Sequence, residues 1–285
     1  MTATAFADDH AALRAACVPG VGLCTIANIE GSFSRRLGAQ LAVLPDGSVV
    51  GSLADGCLEQ ELAREVVSGG ERRVIRYGAG SPKIDFRLPC GGGLDILIDP
   101  VPDTAACAAA VEQLKQRAEA RLALPEPSPL AVRRYVPQLR LVLFGEGPEL
   151  AAMAHVAEAS GMAVEAHGRD DGGLSLGQLP EGIAADRWTA IVLLFHDHEW
   201  ERAILEWALT TPAFFIGAQG GAPARAQREA DLVGAGFAPE QVARIASPIG
   251  TVMHSREPLA LALSTLAGIS GEYELRHPHH RVDAR

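Results

Sequence analysis

The sequence predicts an α/β chain of two domains: a strand-rich N-terminal α+β domain, then a domain built on a mainly parallel sheet. Three observations carry that expectation. The chain has 285 residues, 48% of them hydrophobic, enough for two cores rather than one. Residues 125–138, PEPSPLAVRRYVPQ, hold four prolines and read as a linker between domains at 8–124 and 139–275, with a tail at 276–285. Beyond that stretch, short strands joined by turns give way to apolar strands alternating with amphipathic helices. That is the pattern of a parallel sheet covered on both faces.

In the first domain, Asp8 or Asp9 caps a short helix that ends by Pro19-Gly20. VGLCTIANIEG (21–31) reads as a buried strand running into a turn. QLAVLPDGSVVGSL (40–53) reads as two strands around Pro45-Asp46-Gly47, a hairpin signal. LEQELAREVVSGG (58–70) repeats apolar residues at helical spacing and stops at Gly69-Gly70. RRVIRY (72–77) and LDILIDP (94–100) are further strands. A helix is expected from Thr104 to about Leu124, with Cys107, Val111, Leu114 and Ala118 on one face. Cys107 is therefore assigned to the core, as is Cys24 inside its apolar strand.

In the second domain, LRLVLFG (139–145) is a continuous apolar strand, PELAAMAHVAEASG a helix and MAVEAHG a strand. TAIVLLF (189–195) is another buried strand. HEWERAILEWAL places Trp200, Ala203, Ile204, Trp207 and Ala208 on one helical stripe, and AFFIGA (213–218) is the next strand. The end of the chain is polar, and His277, His279 and His280 are assigned to a solvated tail rather than to a metal.

The charge balance excludes some functions. With 25 basic and 35 acidic residues the net charge is −10, which argues against a nucleic-acid or anionic-membrane surface. The five cysteines, at 17, 24, 57, 90 and 107, form no CxxC and fit free thiols in a reducing compartment. The first 20 residues carry acids where a secretion signal needs basic residues, and no apolar stretch reaches the roughly 20 residues of a membrane span. A cytoplasmic protein is expected.

Gly145-Glu146-Gly147-Pro148 stands where a buried strand meets a helix, a junction that lets an anion approach free N–H groups. A Rossmann-like domain is expected from it. The NAD(P) fingerprint is incomplete, because position 150 is Leu instead of glycine and the second strand ends in His167-Gly168-Arg169 without the ribose-binding acid. Arg169 could meet a 2′-phosphate, but Asp170 and Asp171 adjoin it. His196-Asp197-His198 lies just past a strand, at the edge where such sheets place ligands. It lacks a third metal ligand at suitable spacing, so a helix start capped by Asp197 or His198, or a cleft lining, is expected.

Three first-domain loops combine glycines with reactive groups. Gly31-Ser-Phe-Ser-Arg-Arg-Leu-Gly38 carries a guanidinium pair. Gly51-Ser-Leu-Ala-Asp-Gly-Cys57-Leu-Glu59 runs into a helix start, a setting that favours a thiolate. Pro89-Cys90-Gly-Gly-Gly93 sets a thiol beside flexible backbone. Together they point to one site for an anion and a soft metal or sulfur.

These stretches resemble the XdhC/CoxI family of molybdoenzyme accessory proteins. GSFSRRLGAQLAVLPDGSVVGSLADGCLEQEL is similar to its first domain, PCGGGLDILIDP to its following CGG segment, and LRLVLFGEGPELAAMAHVAEASGMAV, LLFHDHEWERAILEWAL, FFIGAQG and RIASPIG to its Rossmann-type domain, in the same order. The resemblance implies an accessory protein rather than an enzyme: a homodimeric chaperone that binds the molybdenum cofactor (molybdopterin), takes part in its sulfuration with a cysteine desulfurase, and delivers it to a molybdenum hydroxylase client. The implied contacts are Ser32, Arg35, Gly38, Gly51, Ser52, Gly56, Cys57, Glu59, Cys90, Gly91 and Gly92, with Cys57 and Cys90 reaching the metal through the cofactor. Gly145, Gly147, His196 and Asp197 would line the second domain's cleft. The chain departs from the family pattern at Phe33, Ala54-Asp55, Gly168, Gly220-Gly-Ala-Pro223 and Met253-His254. An NAD(P)-dependent oxidoreductase and a ligand-free partner scaffold are the competing readings.

Overall fold

A computed structural model describes residues 10–54, 56–81, 91–169, 174–179, 182–252, 255 and 257–276. They form two compact units that divide between residues 137 and 138.

The first unit runs α1 (Ala11–Ala15), β1 (Gly22–Glu30), β2 (Gln40–Val43), β3 (Val49–Gly51), α2 (Cys57–Val67), β4 (Arg73–Gly78), β5 (Gly93–Asp99), α3 (Thr104–Lys115), β6 (Ala120–Ala123) and β7 (Val132–Tyr135). Its main sheet is antiparallel, in the order β3-β2-β1-β5-β4. Side chains alternate across it. Cys24, Ile26, Leu41 and Ile96 face α2 through Leu58 and Leu62, while Leu23 and Ala42 face the opposite core with Leu13, Cys107 and Leu122. Asp46 organises the β2–β3 hairpin by accepting from the Ser48 N–H (2.9 Å), and Gly47 takes the left-handed φ of +82° that the turn needs. Cys24 and Cys107 are both fully buried, and burial pushes their thiols up to about 12 and about 11.

Two expectations are corrected here. The helix from Thr104, capped by Asp103 through the Ala106 N–H (2.9 Å), stops at Lys115 instead of reaching Leu124. Arg117 turns the chain with φ +56°, and Ala120–Ala123 then pairs antiparallel with Val132–Tyr135. Much of the proline-rich stretch read as a linker is therefore the loop and second strand of a hairpin, fixed by burial of Leu122 and Tyr135. Asp8 and Asp9, the expected caps of the first helix, lie outside the described residues, as do His277, His279 and His280.

The second unit runs β8 (Arg140–Gly145), α4 (Gly147–Ala159), β9 (Ala163–Gly168), β10 (Thr189–Leu194), a 3-10 turn (His198–Trp200), α5 (Glu201–Thr210), β11 (Phe215–Ala218), α6 (Ala222–Gly234), α7 (Pro239–Val242), β12 (Ile245–Ala246) and α8 (Pro258–Glu274). The sheet order is β12-β11-β10-β8-β9, parallel throughout. Val142, Phe144, Ile191 and Leu193 pack on one face with Ile204 and Leu205 of α5; Leu141, Leu143, Ala190 and Val192 pack on the other with Met153 of α4 and Ile269 of α8. Burial on both faces explains why these strands read as unbroken apolar runs. The chain leaves β8 for β9 on one side and returns to β10 on the other, so the loops after β8 and β10 diverge at the carboxyl edge. No helix among the described residues is long and apolar enough to cross a membrane.

Candidate functional site

In the first unit, strand register brings the three loops together. Glu30 pairs with Gly93, so the loop leaving β1 lies beside the chain entering β5. Contact there is backbone to backbone: a Cβ on Gly92 would lie 2.7 Å from the Glu30 carbonyl and 3.0 Å from that of Ser32. The loop after β1 joins the loop before α2 through Arg35, whose Nε donates to the Ser52 carbonyl (3.3 Å) and whose Nη2 donates to Ser52 Oγ (3.2 Å). Ser32, Arg35, Gly56, Cys57 and Gly91 are exposed around this junction, with Cys57 in the first turn of α2. Gly38 and Gly51 are structural: the Gly38 N–H closes the loop onto the Ile26 carbonyl (2.8 Å), and a Cβ on Gly51 would lie 2.7 Å from the Gln40 carbonyl. Cys90 lies outside the described residues.

Glu59 takes a different place from the one expected of a ligand contact. It is 6% exposed, and its carboxylate accepts from the N–H groups of Leu53 (2.8 Å), Ala54 (2.6 Å) and Gly56 (2.8 Å). Burial raises its pKa, but these backbone donors prevail and hold the carboxyl below its ordinary value. The N–H groups of the loop leading into α2, which could have greeted an external anion, are thus taken by the chain's own carboxylate. Glu59 shapes the loop that presents Cys57. Sequence reading also passed over a charged floor: Arg76 pairs with Glu30 and with Asp95 (3.2 Å), and Asn28 donates to Asp95 (2.8 Å).

In the second unit, Gly145, Gly147, His196 and Asp197 meet at the diverging carboxyl edge of the sheet. Gly145 pairs with Leu194, and a Cβ on it would lie 2.8 Å from Leu194 Cβ. Gly147 opens α4 with φ +69°. Between them, Glu146 spans the edge. It accepts from the His196 N–H (3.2 Å) and from Arg169 Nη1 (2.9 Å), and the Arg169 guanidinium lies 4.9 Å from the Trp200 ring centre. Burial raises the Glu146 pKa, but the His196 and Asp197 N–H groups and Arg169 outweigh it and hold the carboxyl below its ordinary value. Asp197 caps the 3-10 turn through the Glu199 N–H (3.1 Å), as one of the sequence alternatives had it. His196 is exposed, its Nε2 3.3 Å from Glu149. His198 Nδ1 lies 3.1 Å from Glu201, which is buried against Arg228 (2.8 Å). No group of three or more candidate metal ligands occurs among the described residues.

Comparison with known proteins follows both units. Residues 19–78 match the sequence profile of the XdhC and CoxI family, and residues 141–269 match that of the XdhC Rossmann domain. The molybdenum cofactor insertion chaperone PaoD of Escherichia coli (strain K12) is 30% identical over 92% of this chain and 88% of its own length. A crystal structure described as a xanthine dehydrogenase from Bacillus halodurans shares the fold, with a TM-score of 0.72 at 18% identity over 94% of this chain and 96% of that one. With its two domains matched in order and nearly its whole length shared with a 30% identical relative, the chain belongs to the XdhC and CoxI family.

Proposed function

We propose that the protein is a molybdenum cofactor insertion chaperone that carries the cofactor as cargo on its N-terminal loops and delivers it to a molybdenum hydroxylase of the xanthine-dehydrogenase type. The observation that carries this reading is the convergence of Ser32, Arg35, Cys57, Gly91 and Gly92 at one end of the first sheet. Their chemistry suits the cargo. The exposed Arg35 guanidinium presents donors to the pterin phosphate, Cys57 offers a soft sulfur donor, and the open, side-chain-free backbone at Gly91 admits a planar ring close by. Cys90, next in the chain to Gly91, belongs to the same proposal. A 30% identical relative named as such a chaperone supports the assignment.

In this reading the protein works in the cytoplasm as a homodimer and holds the cofactor while a cysteine desulfurase supplies its sulfur. The Rossmann-like cleft does not serve NAD(P) chemistry. Glu146 sets a carboxylate at the turn between β8 and α4, an unfavourable neighbour for a diphosphate, and Leu150 and Gly168 replace two parts of the dinucleotide fingerprint.

The test is direct loading. Protein incubated under argon with cofactor released from a donor molybdoenzyme, then desalted, should retain pterin fluorescence after acid release. Arg35→Ala and Cys57→Ala should each lose most of it. Retention equal to that of the unaltered protein in both variants would remove these loops as the site.

A further inference from the structure

We propose that the first domain has a second binding site, a cavity shaped for a small uncharged molecule with an amide-like edge. The cavity measures about 290 Å³ and lies on the sheet face away from α2. Leu23, Thr25, Leu97 and Asp99 form its floor, Cys107 of α3 and Leu122 of β6 its walls, and Arg72 stands at its mouth. Leu23 pairs with Asp99 whereas Glu30 pairs with Gly93, so the cavity and the cargo loops lie toward opposite ends of β1, roughly 20 Å apart along the strand.

Size limits the occupant. An apolar cavity of roughly 150 Å³ accepts benzene, so this one takes a fused two-ring molecule. Its volume stands at the lower end of small-molecule sites, roughly 300–1,000 Å³.

Polar groups in the cavity define the edge of that molecule. Tyr135 donates to Gln40 Oε1 (2.6 Å), and Gln40 Nε2 donates to Thr25 Oγ1 (3.0 Å). Thr25 is 1% exposed, and its own hydroxyl proton has no acceptor among the described residues. Asp99 Oδ1 takes Arg72 Nε (2.8 Å) and the Val101 N–H (3.2 Å), leaving Oδ2 without a partner among the described residues. Thr25 sits opposite Leu97, two residues from Asp99, so the unused donor and the unused acceptor are diagonal neighbours on one face, their Cβ atoms roughly 7 Å apart. A lactam presents an acceptor and a donor side by side and can answer both. Arg72 offsets Asp99, and Asp103, whose carboxylate caps α3 through the Ala106 N–H, leaves the lining with a net negative charge, so an anion is repelled. Cys107 contributes a soft, uncharged wall.

Calorimetry on the full chain tests this with three probes: isoquinolone, isocoumarin (the same outline with the N–H replaced by oxygen) and naphthoate. Isoquinolone should bind, isocoumarin roughly tenfold more weakly because Asp99 is left unanswered, and naphthoate more weakly still. Thr25→Val should weaken isoquinolone by a similar factor. Ala123→Trp, at the exposed rim, should abolish binding without touching the core. No binding of isoquinolone up to its solubility limit would overturn the proposal. So would undiminished binding by Ala123→Trp, or tighter binding of naphthoate than of isoquinolone.

Discussion

Replacing Glu59 tests how the cargo loop is built. Its carboxylate holds the N–H groups of Leu53, Ala54 and Gly56 at 2.6–2.8 Å. A hydrogen bond to a charged group contributes about 1.5–3 kcal/mol. The three do not add, because they share one carboxylate and water can replace it at the exposed Gly56. Leu53 is fully buried, so its N–H would be stranded, at about 1–3 kcal/mol. Glu59→Ala should therefore cost about 3–4 kcal/mol, a fall in Tm of roughly 10 °C for a domain of this size. Glu59→Gln keeps an acceptor but loses the charge and should fall by less. The pH dependence has a definite sign. The folded carboxyl is held below its unfolded value of about 4.3, so its contribution is present above that value and lost as pH falls through the folded one. The Tm gap between the unaltered protein and Glu59→Gln should thus close on acidification below about pH 4. Thermal melts followed by circular dichroism across pH give both answers. A Glu59→Ala protein that melts with the unaltered one, or a Gln gap that does not change with pH, would show that Glu59 does not hold this loop.

Cys57→Ser should leave Tm within a few degrees while sharply lowering cofactor retention. Cys24→Ser, which sets a hydroxyl in the core, should cost about 1–3 kcal/mol and spare retention; paired melts and pterin assays decide. Arg228→Met strands the buried Glu201 carboxylate and should destabilise by about 3–5 kcal/mol, much of it recovered by adding Glu201→Leu, as read by denaturant titration. Calorimetry with NADH and NADPH should show no low-micromolar binding, since Glu146 occupies the edge of the cleft.

The parallel sheet was legible in the sequence because strands buried on both faces are written as unbroken apolar runs such as LRLVLFG and TAIVLLF. The β6–β7 hairpin was not. An alanine-rich helix precedes it, its strands show alternation over only four residues each, and prolines fill its loop. The glycine-rich loops could be picked out because glycines cluster there with Arg35, Cys57 and Cys90, whereas the reason Gly92 and Gly51 must be glycine, a Cβ striking a carbonyl, shows only in the fold. Glu59 was expected as a ligand contact through the resemblance of its loop to the family pattern. Its position three residues past Gly56, where a glutamate reaches back to a helix start, was the local signal of its real task. Glu146 carried no local signal. Its partners, Arg169 and the His196 N–H, are distant in sequence and meet it only because β9 and β10 flank β8.

A chain that carries the molybdenum cofactor should copurify with it. The most direct measurement is made on protein purified without oxygen from a host that synthesises the cofactor, with molybdenum determined by elemental analysis and pterin by fluorescence after acid release. Molybdenum and pterin should each be present in about equimolar ratio to the chain. Protein from a cofactor-rich lysate that contains neither would contradict it.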